Sequence, residues 1–378
     1  MYEHKGLEDI LFLMLYGGAT MLAIASCLYL LFTRGNLCIA DNKPPQLLRR
    51  WAAAFMASVA ASHIWWIVLG IYVITDDRLL RNIVAITLDR LTFVPLMMCV
   101  LLRLLQDRKR PLWIVAVAML PVAVISVLSI VTRNESFELY TEIYSAVLAI
   151  AFIIYYVQAM RQYNRWLCDN YADLQHKEVW QSVVLLTFIL LSYACYASNE
   201  GDLFTEYIAQ LNTLVIIGFV LWRVETLQEL TIDTEQEEEF TPPIADTDED
   251  ISDKSKYALP SSVAYNIDSL LKQHCEAAEL YLQHDLTLQQ LANIIGTNRT
   301  YLSYYFAEQG VSYNVYINQL RIKHFTRLYR ETASSVQPTT AKAIAIQSGF
   351  RSYVTFSVAF KKYTGYTVTE WIEMEKTE

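Results

Sequence analysis

Two regimes of hydrophobic patterning divide this chain. Up to about residue 222 the apolar residues run in long blocks, roughly 10–33, 50–74, 83–105, 112–131, 138–160, 179–198 and 203–222. A bilayer core near 30 Å takes about 20 apolar residues in a helix. Each block therefore predicts a spanning helix, seven in all. Glu142 interrupts the fifth, and only Asn199–Asp202 separates the last two, a tight helical hairpin. Beyond residue 258 the pattern becomes amphipathic. Leu288, Leu291, Ala292 and Ile295 mark a short helix. Gly296 follows, then a second helix with Leu302 and Phe306 at i, i+4. The motif returns as Ile344 and Ala345, then Gly349, then Phe356 and Phe360. The predicted fold class is all-α: a polytopic seven-helix membrane bundle followed by a tandem helix-turn-helix domain.

Charge orients the bundle. The loops after the first, third and fifth blocks, with their edges, carry Arg34, Lys43, Arg49, Arg50, Arg103, Arg108, Lys109, Arg110, Arg161, Arg165 and Lys177. The opposite loops carry only Arg78, Arg81 and Arg133. The excess of basic residues places the first set in the cytoplasm, the N-terminus outside and the C-terminus inside. The overall net charge of −9 is a linker property. Residues 225–253 hold twelve Asp and Glu and no Lys or Arg, whereas residues 281–378 hold ten Lys and Arg against seven Asp and Glu. With Pro242–Pro243 and few large apolar residues, 223–258 predicts a disordered acidic linker. Val224, Leu227 and Leu230 keep a helical spacing that predicts one or two further turns of the last span. The expected domains are 1–222, a transmembrane sensor; 223–258, the linker; and 259–378, the DNA-binding domain.

Chemistry-bearing motifs are sparse. The six cysteines form no CxxC pair and no Cys/His cluster at metal spacing. The N-terminal MYEHKGLEDI lacks the basic region of a cleavable signal peptide. HExxH, GxxxxGK[ST] and kinase-type nucleotide motifs are not found, and the last block has no lysine for a retinal Schiff base. The expectation is a non-enzyme without metal or cofactor. Ionisable residues inside spans are costly and mark function or helix pairing. Asp89, Arg90, Glu142 and Glu206, with Gln210 one turn from Glu206, are the candidate signal-sensing group. The alternative is structural, with Asp89 or Glu142 pairing Arg90 to lock helices together. A lone His63 reads as a packing residue.

The second half carries a family resemblance. Tyr301, Leu302, Ser303 and Phe306 form one signature. The connecting helix follows with Tyr316, Ile317, Leu320, Arg321 and Leu328. Gly349, Phe350, Phe356, Phe360, Lys361 and Lys362 complete the pattern. Residues 286–371 resemble the DNA-binding domain of AraC/XylS-family bacterial transcription regulators. The resemblance implies two recognition helices in adjacent major grooves, with residues near each N-terminus meeting base edges. Those positions are Arg299, Thr300, Ser303 and Tyr304 in the first helix. In the second they are Arg351, Ser352, Tyr353, Thr355 and Ser357. Arg299 and Arg351 are the best base readers, since Arg to guanine is the commonest specific contact. Lys361 and Lys362 fit phosphate. Departures are Tyr304 and Val358 where the family often has Arg, Asn298 at a usual N-capping Ser, and Thr367–Val368 for its Ser-Pro.

The implied partners are double-stranded promoter DNA, the lipid bilayer, an unidentified small-molecule or membrane signal, RNA polymerase and a second copy in a homodimer. The implied location is the bacterial cytoplasmic membrane, with the DNA-binding domain in the cytoplasm. A different class stays open at this point: a membrane scaffold or transporter-like protein whose helical tail binds a protein partner.

Overall fold

The computed structural model describes residues 7–33, 35–36, 38, 43–71, 78–134, 136–197, 203–230, 261–333 and 340–377. The described residues are helical, with no strand among them. The chain divides into two units, residues 1–163 with 176–232, and residues 164–175 with 233–378.

The first unit contains α1 (Leu7–Phe32), α2 (Gln46–Ile71), α3 (Arg78–Leu104), α4 (Trp113–Thr132), most of α5 (Ser136–Asn170), α6 (Ser182–Ala197) and α7 (Leu203–Thr226). Helices adjacent in sequence pack together from α1 to α4 and from α6 to α7, and α7 closes back on α1 and α2. Six of these helices are long and apolar enough to cross a membrane. The sixth predicted block is different. Its helix α6 has 16 residues, because the chain from Lys177 to Gln181 is turn rather than helix. The last span runs on to Thr226, one turn past its apolar block, and Leu227 and Leu230 are buried beyond it. The acidic stretch 231–260 lies outside the described residues.

The bundle's outer surface is inverted relative to a water-soluble protein. On α4, Val117, Leu120, Val124, Val127 and Val131 are exposed while Val122, Ser126 and Ser129 are buried. On α5, Leu139, Ile143, Val147, Ile150 and Ile154 form an equally exposed apolar stripe. These are apolar faces of helical period turned outward along the length of both helices. Polar residues pair inside instead. Buried Arg49 donates to the carbonyls of Leu30 and Thr33 and lies 3.9 Å from the Glu225 carboxylate, which also accepts from the Tyr29 hydroxyl.

The second unit holds α8 (Ser261–Leu270), a π-helical turn (Leu271–Glu276), a 3₁₀ turn (Leu280–Leu282), α9 (Leu288–Ile294), α10 (Arg299–Glu308), α11 (Tyr313–Ala333), α12 (Ala341–Gln347), α13 (Tyr353–Thr364) and α14 (Val368–Thr377). Helices of seven residues such as α9 and α12 are marginal alone, so caps and packing must define them. Thr287 and Gln290 form a reciprocal capping box at α9. Asn298, Thr340 and Ser352 cap α10, α12 and α13 through side-chain oxygens that accept from the backbone N–H three residues on. Thr367, at the Ser-Pro departure, performs the same task at α14. Its hydroxyl accepts from the Glu370 N–H, and its own N–H donates to the Glu370 carboxylate. Those bonds hold the Glu370 carboxyl below its ordinary pKa.

Two cores result. The first gathers Leu271, Cys275, Leu286, Leu291, Leu302, Phe306, Tyr313 and Ile317, and it includes Ala172. The second gathers Ile322, Phe325, Ile344, Phe350, Phe356, Phe360 and Trp371. Helix α11 contributes to both. Burial pushes the Cys275 thiol up to about 12, so it is a neutral packing group at physiological pH.

Candidate nucleic-acid interface and bundle cavity

Each helix-turn-helix unit buries one face of its second helix and leaves the other outward. On α10, Leu302, Tyr305 and Phe306 are buried, and Thr300, Ser303, Tyr304 and Ala307 are exposed at helical spacing. On α13, Phe356 and Phe360 are buried, while Val354, Val358, Lys361 and Lys362 are exposed, with Arg351 at the helix entrance. These two faces are the candidate DNA-contacting surface.

The predicted contact residues fall into different situations. Thr300, Ser303, Tyr304, Lys361 and Lys362 are exposed. Arg351 is exposed and lies 3.4 Å from Asp285, a surface pair of small energetic weight. Ser352 is occupied as the α13 cap, and its hydroxyl is 3.0 Å from that of Thr355. The Thr355 hydroxyl also lies 3.5 Å from Gln175. Ser357 donates to the Val354 carbonyl. Tyr353 packs its ring 5.7 Å from Phe356 and is partly core. Arg299 is half-buried, and its Nε donates to the Asn170 side chain at 2.8 Å. The 164–175 segment makes further bonds in this unit. Asn314 donates to the carbonyls of Tyr171 and Ala172, and the Ala172 N–H donates to the Leu286 carbonyl.

Sequence reasoning did not single out Val354, although it is 72% exposed at the centre of the α13 face. Its signal was available: it lies four residues before Val358, on the side opposite Phe356. An exposed valine there can meet a thymine methyl group. Arg321 was read only as part of a connecting helix. It is fully buried and donates to the carbonyls of Tyr281, Gln283 and His284, with its guanidinium 5.7 Å from the Phe350 ring centre. It therefore ties α11 to the 281–284 segment and to Phe350 of the second helix-turn-helix.

Residues 291–374 match the helix-turn-helix domain family. Curated relatives agree over the same end. An uncharacterized HTH-type transcriptional regulator of Staphylococcus aureus strain MRSA252 is 31% identical over 105 residues, covering 28% of this chain and 13% of the relative. A similarly described regulator of strain COL is 30% identical over the same proportions. This chain thus spans only 13% of the length of these relatives, and the likeness concerns the helix-turn-helix end. No solved structure matches the chain.

The first unit contains a half-open cavity of about 780 Å³ to which all seven of its described helices contribute. Of the candidate sensing residues, Asp89, Arg90, Glu206 and Gln210 line it, and Glu142 does not. Asp89 accepts hydrogen bonds from Ser62 at 2.6 Å, Trp65 at 3.1 Å and Trp66 at 2.7 Å. Arg90 pairs with Glu138 at 2.7 Å and Glu142 at 3.5 Å, so the helix-locking partners are those two acids and not Asp89. Glu138, the closer partner, lies in the first turn of α5. Gln210 bonds to His63 at 2.9 Å, and His63 Nδ1 donates to the Val59 carbonyl.

Proposed function

We propose that this chain is a membrane-integral one-component transcription regulator. Seven crossings, N-terminus outside and C-terminus inside, would set the bundle in a bacterial cytoplasmic membrane. The helix-turn-helix domain would bind promoter DNA in the cytoplasm through α10 and α13, under control of a signal sensed in the bundle. The observation that carries this reading is the joining in one chain of a helix-turn-helix domain to a bundle whose outward faces on α4 and α5 are apolar. The basic residues gathered in one set of loops support the orientation.

Topology is tested with a reporter active only outside the cytoplasm. Fused after Asp202 it is expected to score outside, and fused after Glu229 it is expected to score inside. The reverse pattern would defeat the proposal, because the DNA-binding part would be on the wrong side.

DNA reading is tested by separating specific from general contacts. Arg299 is tied through Nε to Asn170, so Arg351 is expected to carry the larger share of base recognition. Arg351→Ala is expected to cost about 1–3 kcal/mol on the preferred operator and to relax preference at one base position. Lys361→Ala is expected to weaken binding to all sequences alike and to reduce the salt dependence by about one unit. Identical behaviour of the two variants on specific and random duplexes would overturn these roles. If the domain bound no DNA under any salt condition, the scaffold reading would take its place.

A further inference from the structure

The bundle cavity has a chemical gradient along its length. Asp89, Phe93, Met97 and Leu101 all line it from α3, one helical turn apart. At 1.5 Å per residue these positions span about 18 Å, from a carboxylate to purely apolar side chains. Helix α7 repeats the trend with Glu206, then Gln210, then Thr213. The volume of about 780 Å³ lies within the range of small-molecule pockets, roughly 300–1,000 Å³.

The ionisable side chains at the polar end are mainly carboxyl groups, Asp89 and Glu206. Arg90 is the cation that lines the cavity, and Glu138 and Glu142 already neutralise it. Asp89 is held by three neutral donors, which orient its carboxyl oxygens, and it forms no ion pair with Lys or Arg among the described residues. Among the described residues no side chain donates to the Glu206 carboxylate. The rings of Phe12, Tyr16, Trp66 and Phe93 line the same cavity, and Trp66 donates to Asp89. Aromatic faces attract a cation, and more strongly once water is excluded.

We propose that this cavity binds an amphiphilic organic cation, with an amine or quaternary ammonium head between Asp89 and Glu206 and an apolar body along Phe93, Met97 and Leu101. The proposal rests on the sensing role given to the bundle above and supplies the class of its signal. The cation compensates two carboxyl groups that form no ion pair with Lys or Arg among the described residues, and its body fills a space lined by methionine, leucine and phenylalanine.

The test uses the full chain in nanodiscs of phosphatidylcholine, with empty nanodiscs as the blank. Rhodamine 6G is a cationic dye with an apolar ring body, and fluorescein is an anionic dye on a related ring system. Fluorescence polarisation is expected to give saturable binding of rhodamine 6G above the blank and none of fluorescein. Glu206→Gln removes an ionisable group that makes no side-chain hydrogen bond among the described residues, so it should fold normally and weaken rhodamine 6G at least tenfold. Asp89→Asn is expected to act in the same direction, with thermal unfolding of each variant confirming an intact bundle. Unchanged affinity in a folded Glu206→Gln protein, equal binding of fluorescein, or no saturable rhodamine 6G binding would overturn the cation site. Promoter output, measured in cells with and without rhodamine 6G, separates this from the function it rests on. Binding that depends on Glu206 while output never changes would keep the site and overturn the sensing role. Output that responds to Glu206→Gln without any dye binding would keep the sensing role and overturn the ligand class.

Discussion

Gly349→Ala should unfold the second helix-turn-helix unit while Gly365→Ala leaves it standing. Both glycines adopt left-handed backbone, with φ of +87° and +83°. A β-carbon in that region costs about 1–2 kcal/mol at either position. The surroundings differ. At Gly365 a β-carbon would meet nothing within 4 Å. At Gly349 it would stand 2.8 Å from the Leu282 Cα, 2.9 Å from the Tyr281 carbonyl oxygen and 3.0 Å from that of Leu282. All three are backbone atoms, so no side chain can swing aside. The backbone they belong to is itself anchored by Arg321, and the Gly349 carbonyl is bonded to His284. Overpacking of this kind adds typically about 1–3 kcal/mol. The total is a large share of a domain stability of about 5–15 kcal/mol. Hydrogen–deuterium exchange on the full chain should show α12 and α13 losing protection in Gly349→Ala, with operator binding lost. Equal protection in the two glycine variants would show that the close approach to residues 281–282 carries no weight.

The second large effect is expected at Arg321. Its burial presses the guanidinium down to about 10, with Tyr313, Asp173 and Asp285 opposing the fall, so it stays charged at neutral pH. Three carbonyl oxygens accept from it. Arg321→Met keeps much of the volume but leaves those acceptors buried and unpaired. Removing one side of a buried charged network typically costs about 3–5 kcal/mol. Arg321→Lys should recover only part of this, because an ammonium on a flexible stem cannot reproduce the planar fork that reaches all three oxygens. Denaturant midpoints followed by Trp fluorescence should fall in the order wild type, Lys, Met. A methionine variant as stable as the wild type would mean that the network contributes specificity of packing and no net stability.

Local signals made much of this molecule readable. The cap position at Asn298, the turn at Gly349 and the i, i+4 pair Phe356 and Phe360 are all short-range features, and the helices around them begin and end accordingly. The apolar blocks likewise gave helices close to the expected limits, except that α5 runs ten residues past its block to Asn170 and the chain before Ser182 is not helical. Glu142 did not break α5, because its carboxylate lies against Arg90 from a neighbouring helix. What stayed hidden depended on residues far apart in sequence. Ala172 enters a core built mostly from residues 267–317, and no periodicity near position 172 announces it. Arg321 looks like one polar residue on an amphipathic helix. Its three acceptors come from a segment about 40 positions earlier, so only the folded chain distinguishes it from a solvated arginine. Ser352 and Arg299 show the reverse. Their positions suit base reading, yet each already has a hydrogen-bonding commitment within the protein.

Helix α11 joins the two cores without interruption, with Ile317 set in the first and Ile322 and Phe325 in the second. Its 21 residues make a rod of about 31 Å, with Tyr313 buried in the first core near one end and Leu328 and Tyr329 packed on the second core near the other. On the proposed function, this rod acts as a ruler for the promoter. A base change within one recognised box alters affinity in steps of about 1–3 kcal/mol and can be tolerated or compensated. Gain or loss of a single base pair between the boxes turns one of them about 35° around the duplex axis, since a turn takes 10–10.5 base pairs. The promoters this chain serves can therefore drift in spelling much more freely than in length.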